Sequence, residues 1–207
     1  MTGLTLSAMV AEHKAQLGPA GDKFTAAEDG DFIRHVEIGV RNYGARWPLY
    51  ASGSVTLVAA QRIYDAPIDM LDLRDVLWGR AARRAYAPWE QGFPQRIPWG
   101  TVDRRGDTPR LVLDCAPTVM DIATWGATFE FDYNALPVLS ATASESTVFP
   151  AHKDRVLLAA QIAAVSELMA QGIVAPIQLH KGLAPMPKET TPLAILKALQ
   201  DAWARLP

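Results

Sequence analysis

Four histidines, one cysteine and an Asp-Gly-Asp triplet are the residues of this 207-residue chain whose types and spacing could carry chemistry. His13, His35, His152 and His180 are scattered, and none falls in a metal-ligand spacing such as His-Glu-x-x-His. Asp29-Gly30-Asp31 has the start of a calcium loop, but the later ligands and closing glutamate are not at the required positions. Cys115, paired with His152 or His35, would make a thiol nucleophile and its base. It sits, however, in Leu111-Val-Leu-Asp-Cys115, a strand-like run where a cysteine is ordinarily a small, inert core side chain. A single cysteine excludes an internal disulfide and every multi-cysteine metal or iron-sulfur centre. The Ser and Thr cluster at 140–147 lacks a glycine elbow, no phosphate-binding glycine loop appears, and Asp72 and Asp75 have no evident partner. The expectation is no catalytic residue, no metal and no cofactor.

Binding residues are better represented. Arg80, Arg83 and Arg84 form the densest basic patch, with a smaller one at Arg104 and Arg105. Charge runs of this kind are ordinarily solvated faces; repeated around an oligomer they would instead make a positive collar facing acidic protein or DNA. Trp89, Phe93 and Trp99 lie close by in sequence, either as a local mini-core or as an interface, since Trp and Arg dominate binding energetics. The net charge of -2 gives no global pull toward nucleic acid or an anionic membrane. No apolar run approaches the roughly 18 to 20 residues of a membrane span, so a cytoplasmic site of synthesis is expected.

These residues need elements to hold them. Leu6, Met9, Val10, His13 and Leu17 share one helical face, and Gly18-Pro19 stops it, predicting a helix over 6–17. Thr25-Ala-Ala-Glu28 has capping-box spacing, so a second helix should start there. Phe32, Val36, Val40, Tyr43 and Trp47 then line it up to Pro48. Gly30 and Gly39 weaken that helix by roughly 1 kcal/mol each, so its stripe must be buried. Val55 to Pro67 reads as a compact hairpin turning at Gln61-Arg62.

Met70 to Trp78 suits a strand imperfectly. Residues 79–109 show no sustained period and are expected to be a long loop or arm ordered against a neighbour. Leu111–Cys115 and Thr128–Tyr133 are strands, 140–147 a loop, and Pro150 to Gly172 one long alanine-rich helix. After a proline-spaced connector, Thr191-Pro192 opens a last helix with Leu196, Leu199, Trp203 and Leu206 on one side. That stripe either closes the domain's own core or docks on a partner, being carried on a tether. The expected class is α+β, mainly α: a helical bundle of two N-terminal helices, one long helix and a C-terminal helix, with a small hairpin and strand region and a long inserted arm.

The order of these pieces resembles the head-tail connector, or adaptor, proteins of tailed bacteriophages and gene transfer agents. The likeness rests on the opening helix pair with Phe24-Thr25, on Leu57-Val-Ala-Ala-Gln-Arg-Ile-Tyr-Asp-Ala-Pro67 and on Leu77-Trp78-Gly79. Phe131-Asp-Tyr-Asn134 before an alanine-rich helix completes it. The resemblance implies a non-enzymatic virion protein, forming with about twelve copies a ring under the portal. It would join capsid to tail, help line the DNA channel, and contact the portal and tail or neck proteins, with no membrane partner. It implies a single adaptor domain over 1–190, with an inserted arm at about 80–109 that matches no family pattern, and a portal-docking helix over 191–207. Candidate portal contacts are Leu196, Leu199, Trp203 and Leu206; candidate subunit or tail contacts are Arg80, Arg83, Arg84, Trp89, Phe93 and Trp99. A tail-terminator or tail-tube ring protein is the neighbouring structural alternative, and a small cytoplasmic enzyme the more distant one.

Overall fold

A computed structural model describes residues 3–90, 93, 96–106, 108–177, 179 and 191–206. The chain forms two compact units, Met1–Trp47 with Pro137–Pro207, and Pro48–Leu136.

The first unit is helical. Helix α1 (Leu6–Leu17) starts where the Thr5 hydroxyl accepts the Ala8 N–H and stops where Gly18 donates back to the Lys14 carbonyl. Helix α2 (Gly30–Arg46) begins four residues later than the Thr25/Glu28 spacing predicts. Glu28 and Asp29 both turn left-handed, at φ 53° and 63°, which breaks the capping box. Asp31 supplies the anchor instead, accepting the Ala26 N–H at 3.1 Å, and Lys14 pairs with Asp29. Helix α5 (Lys153–Ala170) is buried on several sides, at Val156, Leu157, Ala160, Ala164 and Leu168 among others. Its alanines allow α2 to come close at Gly39. A Cβ there would lie 2.6 Å from the Val156 carbonyl oxygen and 2.9 Å from the Ala160 nitrogen.

Helix α6 (Pro192–Arg205) completes this core with Ile195 and Leu199, both buried. Its C-terminal end is held by one side chain. The Arg46 guanidinium donates to the carbonyls of Trp203 (2.5 Å), Leu206 (2.9 Å) and Ala204 (3.2 Å). It also lies 4.4 Å from the Trp47 ring and 5.6 Å from the Trp203 ring. Free carbonyls at a helix end favour a cation, and a planar guanidinium satisfies several of them at once. Arg46→Ala should lower stability by about 1–2 kcal/mol, with Arg46→Lys recovering only part, read as the urea midpoint. A midpoint unmoved by Arg46→Ala would remove this clamp from the account.

The second unit carries the strands, in two three-stranded antiparallel sheets. One has the order β1–β6–β3, built from β1 (Leu49–Thr56), β6 (Thr128–Ala135) and β3 (Met70–Val76); the other has β2–β5–β4, from β2 (Ile63–Asp65), β5 (Arg110–Leu113) and β4 (Gly100–Asp103). The two flank one apolar cluster that includes Met70, Leu73, Trp78, Leu111, Phe129 and Phe131. Strand β1 pairs with β6 for its whole length without a bulge, from Leu49 opposite Ala135 to Thr56 opposite Thr128. Strand β3 pairs with the other side of β6 through two register shifts. Those shifts bury Met70, Leu73 and Val76 at every third position and explain the imperfect alternation in the sequence. On the polar face, the Tyr50 and Ser52 hydroxyls both donate to Asp132. Asn134 donates to Asp72 at 2.7 Å.

Several expectations are corrected here. The fold is α+β but not a helical bundle with one small hairpin: among the described residues there are six α-helices, and the strands make two sheets. The hairpin over 55–67 does not form, because β1 and β2 enter different sheets, each finding a longer-range partner. The corner between them is organised by Tyr64, whose hydroxyl accepts from the Val58 N–H and donates to the Gln61 carbonyl. The segment 79–109 is not structureless, since it provides helix α3 (Arg80–Ala85) and strand β4. Helix α4 (Val119–Trp125), an element additional to those expected, is opened by a Thr118/Asp121 capping box. Cys115 is half-buried rather than buried.

Candidate functional site

His180 lies outside the described residues; the other residues considered for chemistry fall into two places. In the helical unit, α1 and α2 bring His13 and His35 edge to face, with ring centroids 5.6 Å apart, and Phe24 and Phe32 pack around them. Both histidines are fully buried. His35 Nε2 lies 2.8 Å from a Glu167 oxygen. A carboxylate can only accept, so this nitrogen carries the proton and Nδ1 is left as a bare acceptor. Neither His35 Nδ1 nor either nitrogen of His13 has a hydrogen-bond partner among the described residues.

Burial, with a smaller contribution from His35, pushes His13 down to about 3. Burial also lowers His35, against the opposing pull of Glu167. Burial pushes Glu167 up, but the bonds from Arg34 and His35 outweigh it and hold the carboxyl below its usual range. Among the described residues no group of three or more His, Cys, Asp or Glu side chains could hold a metal. Burial thus disfavours the charged form of both rings, and the carboxylate beside them is matched by Arg34.

Cys115 lies just after β5 in the second unit. Burial, then hydrogen bonding to Asp114, raises its thiol above the ordinary value, opposite to what an activated nucleophile needs.

The predicted interface residues are on that same strand-bearing unit. Gly79, at φ 71°, turns the chain out of β3 into α3, a conformation that costs a glycine little. Arg80 is then pinned to Asp75, whose carboxylate also accepts the Val76 N–H at 2.9 Å. Arg83 and Arg84 are exposed and pair with no carboxylate among the described residues. By contrast, Arg105 is bound through both nitrogens to Asp103, at 2.8 and 2.9 Å, and Arg104 donates to the Met70 carbonyl. The smaller basic patch is thus engaged within the fold, and the larger one is partly unengaged.

Trp99 is 45% exposed, and its backbone exchanges hydrogen bonds with Asp114, which also pairs with Arg96 at 2.9 Å. Arg80, Arg83 and Trp99, together with Asp75, Val76 and Ile97, line one groove of about 290 Å³. Trp89 is 85% exposed and Phe93 half-buried; neither lines this groove, nor does Arg84. Ile97 and Val76 were not foreseen as site residues, and nothing in their spacing marks them as such. On α6, Leu199 is buried, whereas Leu196, Trp203 and, just past the helix end, Leu206 are half-buried against the helical core. No helix among the described residues is long and apolar enough to cross a membrane.

With this geometry in view, the chain compares directly with a known family. Its sequence matches the SU10 adaptor protein family over residues 4–181. The chain belongs to that family. The match takes in the strand-bearing unit and the helical unit as far as α5, and it ends before α6. The chain is therefore a phage adaptor protein, a structural component of the virion that contacts other head and tail proteins. No curated protein matches the chain.

Proposed function

We propose that this adaptor is the head-tail connector that joins the capsid portal to the tail, as a ring of twelve copies around the DNA channel. The family match over 4–181 is the observation that carries the reading. A closed ring of one chain needs two different complementary patches per subunit. The strand-bearing unit offers one in Arg80, Arg83, Arg84, Trp89, Phe93 and Trp99, of which Arg83 and Arg84 have unneutralised charge and Trp89 a freely exposed indole. Such groups are among those that dominate protein interfaces.

The portal contact falls to α6 in this reading. Leu199 anchors the helix in its own core, and the half-exposed sides of Leu196, Trp203 and Leu206 meet the portal. Since Ile195 and Leu199 are core residues, deleting α6 would confound folding with docking, and a substitution at the rim separates them. Particles made without the protein should contain filled heads lacking tails in electron micrographs. Mixing with the cognate portal should give a complex by light scattering that Leu196→Asp weakens at a temperature where circular dichroism shows the variant, partly destabilised by loss of a half-buried side chain, to be still folded. Normal tailed particles without the protein would overturn the connector role. Undiminished binding by Leu196→Asp would remove α6 from it.

A further inference from the structure

The groove on the strand-bearing unit has a composition that selects its ligand. Its floor is apolar, from Val76, Ile97 and the exposed part of Trp99. Its rim is cationic, but the two arginines there are not equivalent. Arg80 is neutralised by Asp75 and fixed in place, while Arg83, one turn further along α3, has no carboxylate partner among the described residues. The groove's single carboxylate is thus already spoken for, and its uncompensated charge is one guanidinium beside greasy surface.

We propose that this groove takes an acidic side chain and its apolar neighbour from a segment of a partner protein. The carboxylate would pair with Arg83 and the apolar group would lie on Ile97 and Trp99. A guanidinium binds a carboxylate through two parallel N–H donors, and the bond gains strength where neighbouring apolar surface excludes water. The groove's volume, about 290 Å³, is at the small end of ligand sites and suits side chains rather than a larger molecule. Nucleic acid fits it less well. Duplex DNA presents evenly spaced phosphates and gains little from an indole floor, and its affinity scales with the number of phosphates neutralised, here very few. A single such site binds weakly; repeated around a ring against a repeated partner it becomes firm by avidity.

This deepens the assembly reading and rests on it only for the source of the segment. The test uses the full chain and an acetylated Leu-Glu-Leu-Glu-Leu peptide, followed by tryptophan fluorescence. A saturable change is expected, lost in Trp99→Phe, and Arg83→Ala should raise Kd about tenfold, the loss of one charge-assisted pair. The lysine counterpart Leu-Lys-Leu-Lys-Leu should give no change. Arg83 is exposed and makes no ion pair, so Arg83→Ala should fold normally, which circular dichroism checks. An unchanged Kd in Arg83→Ala, or a short DNA duplex that displaces the peptide and binds more tightly, would overturn the proposal. Tail attachment by particles carrying Arg83→Ala is scored separately: loss of peptide binding with normal tails discards the groove's role in assembly and leaves the connector reading standing.

Discussion

Acidification from pH 7 to 4 should unfold the helical unit, and His13 is the main cause. Its ring is fully buried, and burial holds its folded value at about 3 against about 6.5 in the unfolded chain. Between those two values the unfolded chain binds a proton that the folded chain does not, so stability falls as pH falls. It is fully present above about 6.5 and lost progressively down to about 3, at roughly 1.4 kcal/mol per pH unit. The whole window is worth at most about 5 kcal/mol, a large fraction of a typical domain's margin.

The surroundings offer little relief. Lys14 on α1 and Arg34 on α2 are cations, and Glu167 on α5 is engaged by Arg34 and His35. His35, itself lowered by burial, loses stability in the same direction. Glu167 adds a further loss at lower pH, since its folded value lies below the ordinary 4.5. His13→Leu removes the titrating ring and its orphaned nitrogens, and should shift the acid unfolding midpoint to lower pH without reducing stability at pH 7. Urea midpoints measured across pH for both proteins check this. Parallel curves would show that His13 does not govern the acid limb.

Gly39→Leu should be the most damaging single substitution in the helical unit, at about 3 kcal/mol or more. The obstacle is backbone. The new side chain would meet the Val156 carbonyl oxygen and the Ala160 nitrogen, which cannot move aside without displacing α5 from α2. Even Gly39→Ala, which helix propensity alone would favour by about 1 kcal/mol, should be destabilising, because its methyl falls 2.6 Å from an oxygen. Thermal and urea unfolding of the two variants decide it. A stabilised Gly39→Ala would mean that the two helices separate easily.

The parts of the fold that were legible in the sequence are those fixed by local chemistry. Helix α1 keeps its predicted limits because a threonine cap and Gly18-Pro19 bracket one apolar stripe. Helix α6 starts at Pro192 as the Thr191-Pro192 pair requires. The start of α2 was not legible, because Thr25/Glu28 offers a satisfactory cap that loses to a left-handed turn secured by Asp31 and Lys14. Strands β3, β5 and β6 were visible as strands, though their partners were not, whereas β4 lay in a segment that reads as a loop and most of β1 precedes the run that reads as extended. A run such as Val55 to Pro67 looks like a hairpin locally, and only the distant β6 and β5 reveal that its halves part company. The site shows the same division. The arginine patch and the tryptophans were visible by composition, whereas the groove that joins Arg83 to Trp99 exists only because sheet pairing and the Gly79 turn bring them together. Which arginines are free depended on partners, Asp75 and Asp103, that no spacing rule singles out.

The two rims of the sheet containing β6 are unlike. Strand β3 is kinked twice and carries Asp72, Arg74 and Asp75, features that discourage a foreign backbone from annealing to it. Strand β1 is straight over eight residues, has no charged side chain and no proline within it, and none of its residues is fully buried. Of that sheet's two edges, Leu49–Thr56 is the one whose sequence carries none of the usual safeguards against pairing with a further strand.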